Sequence, residues 1–88
     1  MEEKFMYELE AALQNINSEI EADELFFDVI DEFMDLKEKE DSEIIKKLGK
    51  LNIIFIGHFE NGTSDEEDCV YIKEIIINGK KIIVDSYF

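Results

Sequence analysis

Residues 69–88 of the chain read CVYIKEIIINGKKIIVDSYF, and this stretch decides the fold class. Two runs rich in Ile, Val and Tyr, at 69–77 and 81–88, flank the pair Asn78-Gly79. A two-residue hairpin turn of type I′ needs a positive φ at both central residues, and Asn-Gly adopts this conformation readily. The stretch therefore predicts an antiparallel β-hairpin that turns at Asn78-Gly79.

The region before this hairpin contains one further strand signal. Residues 51–59, LNIIFIGHF, form a β-branched and aromatic run that is typical of a strand. The polar residues 60–68, ENGTSDEED, are typical of a loop. Together these segments predict a three-stranded antiparallel β-meander over residues 51–88.

Pairing within the hairpin follows from the turn, which places Ile77 opposite Lys80. Regular antiparallel pairing then places Tyr71 opposite Ser86. Because side chains alternate between the two faces of a sheet, Tyr71 would also share a face with Ile75.

The N-terminal half of the chain, residues 1–49, has the periodicity of helices. Apolar side chains recur at helical spacing within residues 3–16, which predicts a first helix. Ser18 followed by Glu21 is a capping-box pattern. This pattern predicts a second helix that begins at Ser18 and ends at residue 37 or 38.

A third, short helix is predicted at residues 42–48, with Gly49 as its left-handed stop. A continuous helix from Ser18 to Leu48 is the alternative, since neither Pro nor Gly interrupts it. The predicted fold class is α+β, with two or three N-terminal helices packed on one face of the three-stranded antiparallel β-meander.

Both faces of the predicted sheet carry apolar side chains, although a domain of this size covers only one of them. The surface around Tyr71, Ile83 and Tyr87 is therefore expected to be covered either by the helices or by another chain. A homodimer formed through the sheet is one form of the second arrangement.

Length, composition and charge indicate one small acidic domain that spans residues 1–88. The chain contains 23 Asp and Glu residues against nine Lys, which gives a formal net charge of −14. Hydrophobic residues make up 45%, which is enough for a packed core and disfavours disorder. Direct binding to nucleic acid is disfavoured, because affinity there comes from Lys and Arg contacts to phosphates.

The sequence also bears on where the protein acts. Cys69 is the only cysteine, so no disulfide framework forms within the chain. No run of about 18 apolar residues is present. Residues 1–10, MEEKFMYELE, lack the basic-then-apolar order of a signal peptide. We expect a cytoplasmic protein.

The acidic residues are distributed unevenly along the chain. Residues 1–43 contain 16 acids and three lysines, whereas residues 44–88 contain seven acids and six lysines. Within residues 1–36 there are 12 acids, and the one cation is Lys4. Solvated helices usually mix signs, since Glu–Lys pairs three or four residues apart contribute about 0.2–0.5 kcal/mol each. The acidity either keeps the protein soluble or forms a binding surface.

Carboxylates on the predicted second helix recur at steps of three or four residues and would line one of its faces. The candidate residues are Glu21, Glu24, Asp28, Asp31, Glu32, Asp35 and Glu38. A second acidic patch, in the loop, consists of Asp65, Glu66, Glu67 and Asp68. Because the spacing is comparable to that of phosphates along a nucleic-acid strand, both patches are predicted to contact a basic protein surface. The alternative is that the helix carboxylates are simply the solvated back of an amphipathic helix.

No arrangement in the sequence predicts catalysis. His58 is the only histidine, and Cys69 follows four acids that would raise the pKa of its thiol and suppress the thiolate. The acidic loop lacks the D-x-[DN]-x-[DN]-G spacing of a calcium loop. A Gly-rich phosphate-binding loop is also absent from the sequence. We therefore expect no enzyme activity, no metal and no cofactor.

In size, negative charge, α+β character and absence of a catalytic motif, the chain resembles the small acidic inhibitors that phages use against nucleic-acid enzymes. These include uracil-DNA glycosylase inhibitors, anti-restriction proteins and anti-CRISPR proteins. The resemblance implies a nucleic-acid mimic that blocks the basic groove of a nucleic-acid-handling protein; it involves no signature motif and assigns no residue a role. Immunity proteins and antitoxins that neutralise cationic nucleases are similar in the same respects. A non-catalytic regulatory subunit is the third interpretation.

Overall fold

The computed structural model describes residues 4–62 and 67–88. Within these ranges the chain forms two helices followed by four strands: α1 (Lys4–Asn15), α2 (Ala22–Leu36), β1 (Ser42–Leu48), β2 (Leu51–Glu60), β3 (Cys69–Ile77) and β4 (Lys80–Tyr87). The strands form one antiparallel sheet in the order β1-β2-β3-β4. The predicted α+β class is confirmed, but the described sheet has four strands where three were predicted.

The predicted third helix is wrong, and so is the alternative of one continuous helix. Residues 42–48 form strand β1, which pairs with β2 and ends with Leu48 opposite Leu51. Gly49 has the predicted positive φ, 60°, but it opens a two-residue hairpin turn instead of ending a helix. A glycine with a positive φ is compatible both with the end of a helix and with a hairpin turn. Pairing with β2 decides between them, because it buries Ile44 in the core and satisfies backbone groups along the edge of β2.

The start of the second helix also differs from the prediction. The Ser18 hydroxyl accepts a hydrogen bond from the backbone N–H of Ile20 at 3.0 Å, which closes a local turn instead of capping a helix. Helix α2 begins at Ala22, and its N-cap residue, Glu21, makes no side-chain cap hydrogen bond. The predicted helix start at Ser18 is therefore wrong, because the serine hydroxyl accepts its hydrogen bond from a backbone N–H that lies before the helix.

Both helices lie on one face of the sheet and bury their apolar side chains against it. Leu9, Val29, Phe55, Ile72 and Ile75 all have no exposed surface. Full burial of an aliphatic or aromatic side chain contributes about 1.5–3 kcal/mol, so this layer provides most of the stability. The opposite face of the sheet, called the outer face from here on, is not covered by α1 or α2.

An irregularity in β3 changes which side chains share a face of the sheet. The register between β2 and β3 shifts at Gly57, which pairs with Ile72. The shift leaves Lys73 as an extra residue on β3, which is a β-bulge. Beyond the bulge the alternation of faces is reversed, because side chains alternate with a period of two.

A second register shift, between β3 and β4, overturns part of the predicted hairpin pairing, because residues 84 and 85 of β4 lie opposite the single residue Lys73 of β3. Ile77 pairs with Lys80, as predicted, but Tyr71 pairs with Tyr87 and not with Ser86. Because of the reversed alternation, Tyr71 lies on the outer face and does not share the core face with Ile75.

The turn between β3 and β4 is the predicted one. Asn78 has a φ of 49° and Gly79 a φ of 86°, so both central residues are positive, as a type I′ turn requires. Asn78 also accepts a hydrogen bond at Oδ1 from the backbone N–H of Asn52 at 2.9 Å. The turn is thereby tied to the start of β2.

We expect Gly79→Val to lower the free energy of unfolding by about 1 kcal/mol or more, because a β-branched residue resists a positive φ. Urea unfolding followed by circular dichroism measures the difference. Gly79→Asn is the matched control and should lose less stability, since Asn tolerates the left-handed region. Equal stability of the Val variant and the wild type would contradict this assignment of the turn.

Candidate protein-binding surfaces

Four carboxylates of α2 form an exposed row on the side of the helix that faces away from the sheet. This group, called the α2 row, consists of Glu24, Asp28, Asp31 and Asp35. At 3.6 residues per turn they lie within a sector of about 60°, opposite the buried residues of the same helix. The row extends about 16 Å along the helix axis.

The surroundings of the α2 row leave its charge uncompensated. No Lys or His among residues 4–62 and 67–88 forms an ion pair with any member of the row. Phe27 lies beside the row and Leu36 at its end, and they are 57% and 53% exposed. The surface is therefore a line of negative charge with apolar side chains at its margin.

The other three helix carboxylates predicted as candidates have different environments. Glu32 forms an ion pair with Lys46 of β1. Glu21 occupies the N-cap position before α2. Glu38 lies beyond the helix, and its backbone carbonyl accepts a hydrogen bond from the N–H of Phe59 at 2.7 Å. The aligned group therefore has four members instead of seven.

The second predicted patch is described only in part. Asp65 and Glu66 lie outside the described residues. Glu67 and Asp68 are exposed. Asp68 Oδ1 accepts a hydrogen bond from the backbone N–H of Gly62 at 3.0 Å, which links the residues on either side of 63–66.

A second candidate surface lies at one end of the outer face, where three aromatic side chains cross β2, β3 and β4. This aromatic ladder consists of His58, Tyr71 and Tyr87. The ring centroids of His58 and Tyr71 are 5.2 Å apart, and those of Tyr71 and Tyr87 are 5.0 Å apart. Sequence reasoning missed the ladder because regular pairing would have placed Tyr71 on the other face.

His58 lies between two carboxylates. Its Nδ1 is 3.0 Å from Asp41 Oδ1, and its Nε2 is 2.7 Å from Glu60 Oε2. Both ring nitrogens donate only when the imidazole is protonated. The hydrogen bonds to Glu60 and Asp41 therefore raise the pKa of His58, and the bond to His58 lowers the pKa of Asp41. A partial signal was present in the sequence, since His58 and Glu60 are two residues apart on one strand and share a face.

We expect the folded protein to lose stability as the pH rises through the raised pKa of His58. Protonated His58 is favoured in the fold, so its contribution is complete below the ordinary histidine pKa of 6.5 and disappears above the folded value. Urea unfolding at a series of pH values measures this loss. His58→Gln is the control, and its stability should change less over the same range. If the free energy of unfolding changed with pH in the same way for the wild type and His58→Gln, Asp41 and Glu60 would not be stabilising the protonated form of His58.

The hydroxyl and thiol groups near the ladder are held in their protonated forms. A hydrogen bond to Asp85 raises the pKa of Tyr71 to about 12. The charge of Glu60 raises the pKa of Tyr87. Burial, followed by nearby carboxylates, raises the pKa of the Cys69 thiol. The predicted direction for Cys69 is confirmed, although burial contributes more than the acids.

The side chains around His58 form a hydrogen-bonded cluster on the outer face. Both nitrogens of His58 contact carboxylates, and the neighbouring hydroxyl and thiol groups keep their protons. In the part of the chain that the structure describes, no three His, Cys, Asp or Glu side chains are placed to hold a metal ion.

The outer face remains open along its length. Ile83 is 64% exposed and Tyr87 is 58% exposed. Of the two predicted ways to cover this surface, coverage by the helices is therefore wrong. Coverage by another chain stays a prediction.

Comparisons with known proteins do not assign the chain to a family. No family model matches it, no curated protein matches its sequence, and no solved structure matches its fold. Neither described helix is long and apolar enough to cross a lipid bilayer. The functional interpretation therefore depends on the geometry of the two surfaces.

Proposed function

We propose that this protein is a non-catalytic inhibitor that binds a basic surface of a nucleic-acid-handling protein through the α2 row. The observation that carries the proposal is the row itself. Its four aligned carboxylates lie on the solvent side of one helix, and no described cation forms an ion pair with them.

The row is not the arrangement that stabilises a helix best. Like charges three or four residues apart destabilise a helix by about 0.2–0.5 kcal/mol per pair, whereas opposite charges stabilise it by similar amounts. Solubility needs net charge, but it does not need charges aligned on one face. Alignment at a cost in stability supports a role in binding.

The spacing of the row suits a surface built to bind phosphates. Its carboxylates are about 4.5–6 Å apart along the helix axis. Phosphates of one duplex strand recur about every 3.4 Å along the duplex axis. Lys and Arg side chains placed to meet phosphates would form charge-assisted hydrogen bonds with carboxylates at a comparable spacing.

Phe27 adds an apolar component to the surface. Its ring is 57% exposed and packs against Phe26, with the ring centroids 5.8 Å apart. Aromatic side chains are enriched among the residues that contribute most to interfaces. We expect Phe27 to contact the partner together with the row.

The alternative functions differ in their partner or in the surface that they use. An immunity protein or antitoxin that neutralises a cationic nuclease would also bind through the α2 row, so the identity of the partner distinguishes it. A non-catalytic regulatory subunit would bind through the outer face, where Ile83 and Tyr87 are exposed. Such apolar binding would persist at high salt, where electrostatic attraction is screened.

Affinity capture from a lysate of the source organism tests the proposal with three baits. One is the wild type, and the second is a row-neutralised variant with Glu24→Gln, Asp28→Asn, Asp31→Asn and Asp35→Asn. The third is a matched control variant with four exposed acids changed elsewhere, at Glu10→Gln, Glu19→Gln, Glu40→Gln and Glu43→Gln.

We expect the wild type and the matched control to retain a basic nucleic-acid-binding protein that elutes in a salt gradient. The row-neutralised bait should not retain it. Added wild-type protein should also displace nucleic acid from the recovered partner. Equal retention by all three baits, or elution that does not depend on salt, would contradict the proposal.

A further inference from the structure

Five isoleucine side chains lie near one another in the middle of the outer face. This isoleucine patch consists of Ile45, Ile54, Ile56, Ile76 and Ile83. Cross-strand pairs connect three of its members, since Ile54 pairs with both Ile45 and Ile76, and Glu74 lies between the other two. Ile45 is 52% exposed and Ile83 is 64% exposed.

The fold of a single chain does not account for this patch. Both helices pack on the opposite face of the sheet. The solvated face of an antiparallel sheet normally carries polar side chains. Contiguous exposed apolar area on a small domain is typical of an interaction site.

We propose that the isoleucine patch is the interface of a homodimer in which two copies pack outer face against outer face. The assembly has four layers, with the two sheets inside and the helices outside. Two-fold symmetry places the same patch on both sides of the interface. The dimer uses different residues from the α2 row and leaves the row accessible.

Charges on the outer face favour a second copy of the chain over a strongly charged partner. Lys73 Nζ is 3.7 Å from Asp41 Oδ2, and Lys81 Nζ is 3.9 Å from Glu74 Oε1. The face therefore contains lysines and carboxylates that already pair with each other. Because both signs of charge are present on this face, two copies can meet with lysines of one copy near carboxylates of the other, so association does not require a partner with one strong charge.

The proposed packing also separates the two α2 rows. With about 10 Å between successive layers, the two α2 helices are about 30 Å apart, and the rows lie on their outer sides. Charges that are exposed and separated by more than about 8 Å are largely screened at physiological ionic strength. The net charge of −14 on each chain therefore does not prevent association in this orientation.

The outer face is large enough for a dimer interface. Four strands about 4.8 Å apart, with about eight residues each at about 3.3 Å per residue, cover about 500 Å². Burial on both copies gives about 1,000 Å² in total, which is the lower limit for a specific interface. We therefore expect a dimer that forms at micromolar concentrations or above.

Glu74 is the charged residue whose burial the dimer must accommodate. It pairs with Ile56 on one side and Ile83 on the other, and it is 8% exposed. A lone carboxylate in an interface would oppose association. Lys81 supplies the opposite charge, and its side chain is 60% exposed, which leaves it free to move toward Glu74 when solvent is removed.

Sedimentation equilibrium at about 0.5 mM protein, well above the micromolar dissociation constants of small interfaces, tests the dimer. The wild type should have twice the 10.3 kDa mass of one chain, at low and at high salt. The double variant Ile45→Glu, Ile83→Glu should have the mass of one chain, because charge on both copies would be desolvated in the interface. Tyr7→Glu, which changes a side chain 61% exposed on α1, is the matched control and should remain dimeric.

A second measurement does not depend on how the variants fold. In a mixture of isotope-labelled and unlabelled wild-type chains, NOEs between chains should come from the methyl groups of the isoleucine patch. A wild-type mass of one chain, a dimeric double variant, or NOEs between chains at α2 would overturn the proposal. Salt-resistant binding of a different protein at the patch, with the chain itself monomeric, would overturn it as well.

The outcomes of the two proposals are distinguishable. The row-neutralised variant should still form the dimer, because the α2 row lies outside the interface. The double isoleucine variant should still bind the basic partner. Failure of either proposal therefore leaves the other one standing.

Discussion

Gly57→Ala is expected to lower the free energy of unfolding by about 3 kcal/mol or more, because a side chain at this position would collide with β3. A Cβ atom here would lie 2.2 Å from the backbone oxygen of Tyr71 and 3.2 Å from Cα of Ile72. Both are backbone atoms, so relief requires β2 and β3 to separate at the bulge. A domain of this length has a stability of about 4–13 kcal/mol, so the loss would be a large fraction of the total.

Thermal unfolding measures this effect, and the midpoint should fall by about 12 °C or more. Gly49→Ala is the matched control, because Gly49 has a φ of 60° and no atom within 4 Å of an added Cβ. That variant should lose only about 1 kcal/mol, from backbone strain alone. The comparison separates collision from strain, since the φ of Gly57 lies outside the left-handed region. Similar losses in the two variants would show that the approach of β3 to Gly57 is not as close as described.

The row-neutralised variant is expected to bind the captured partner about 100-fold more weakly than the wild type, mainly through slower association. Each exposed ion pair contributes up to about 1 kcal/mol, so the loss becomes large only when all four charges are removed together. The field of the row also accelerates encounter with a basic surface, and this effect weakens as salt is added. Stopped-flow measurement at two salt concentrations gives the association rates and their salt dependence.

The matched control variant decides whether the row or the total charge is responsible. It loses the same number of carboxylates as the row-neutralised variant, but from positions outside the row. We expect it to keep most of its affinity and salt dependence. Equal losses in both variants would show that only the net charge matters, and the α2 row would then be a solvated face. Both variants should be at least as stable as the wild type, since neutralisation relieves self-repulsion.

Several elements were predictable because their causes are local. The Asn78-Gly79 turn depends on the φ preferences of two adjacent residues, and both have the predicted sign. Strand β3 has the predicted bounds, Cys69–Ile77, because a polar loop and this turn enclose an apolar run. The buried stripe of α2 follows from helical periodicity, and so does the exposure of the carboxylates opposite to it.

Two local signals failed because each was compatible with two structures. Gly49 has a positive φ in a helix stop and in a hairpin turn, and only pairing with β2 selects the turn. The Ser18 hydroxyl can accept a hydrogen bond either from the first turn of a helix or from Ile20. In the structure it accepts one from the backbone N–H of Ile20, which is nearer along the chain. In both cases the residue type indicated a local conformation or a hydrogen bond. The neighbouring residues did not specify which strand or which backbone group would be the partner.

By itself, the sequence determined the α+β class, the acidic solvent face of α2 and the tight turn of the C-terminal hairpin. The tertiary structure alone decided the ion pair that removes Glu32 from the α2 row and the side chains that gather around His58. The bulge at Lys73 is the clearest case, because a shift of one residue moves Tyr71 from the core face to the outer face. Such a shift depends on how closely two strands that are separated in the sequence approach each other in the fold, here at Gly57. A short stretch of sequence does not specify that distance.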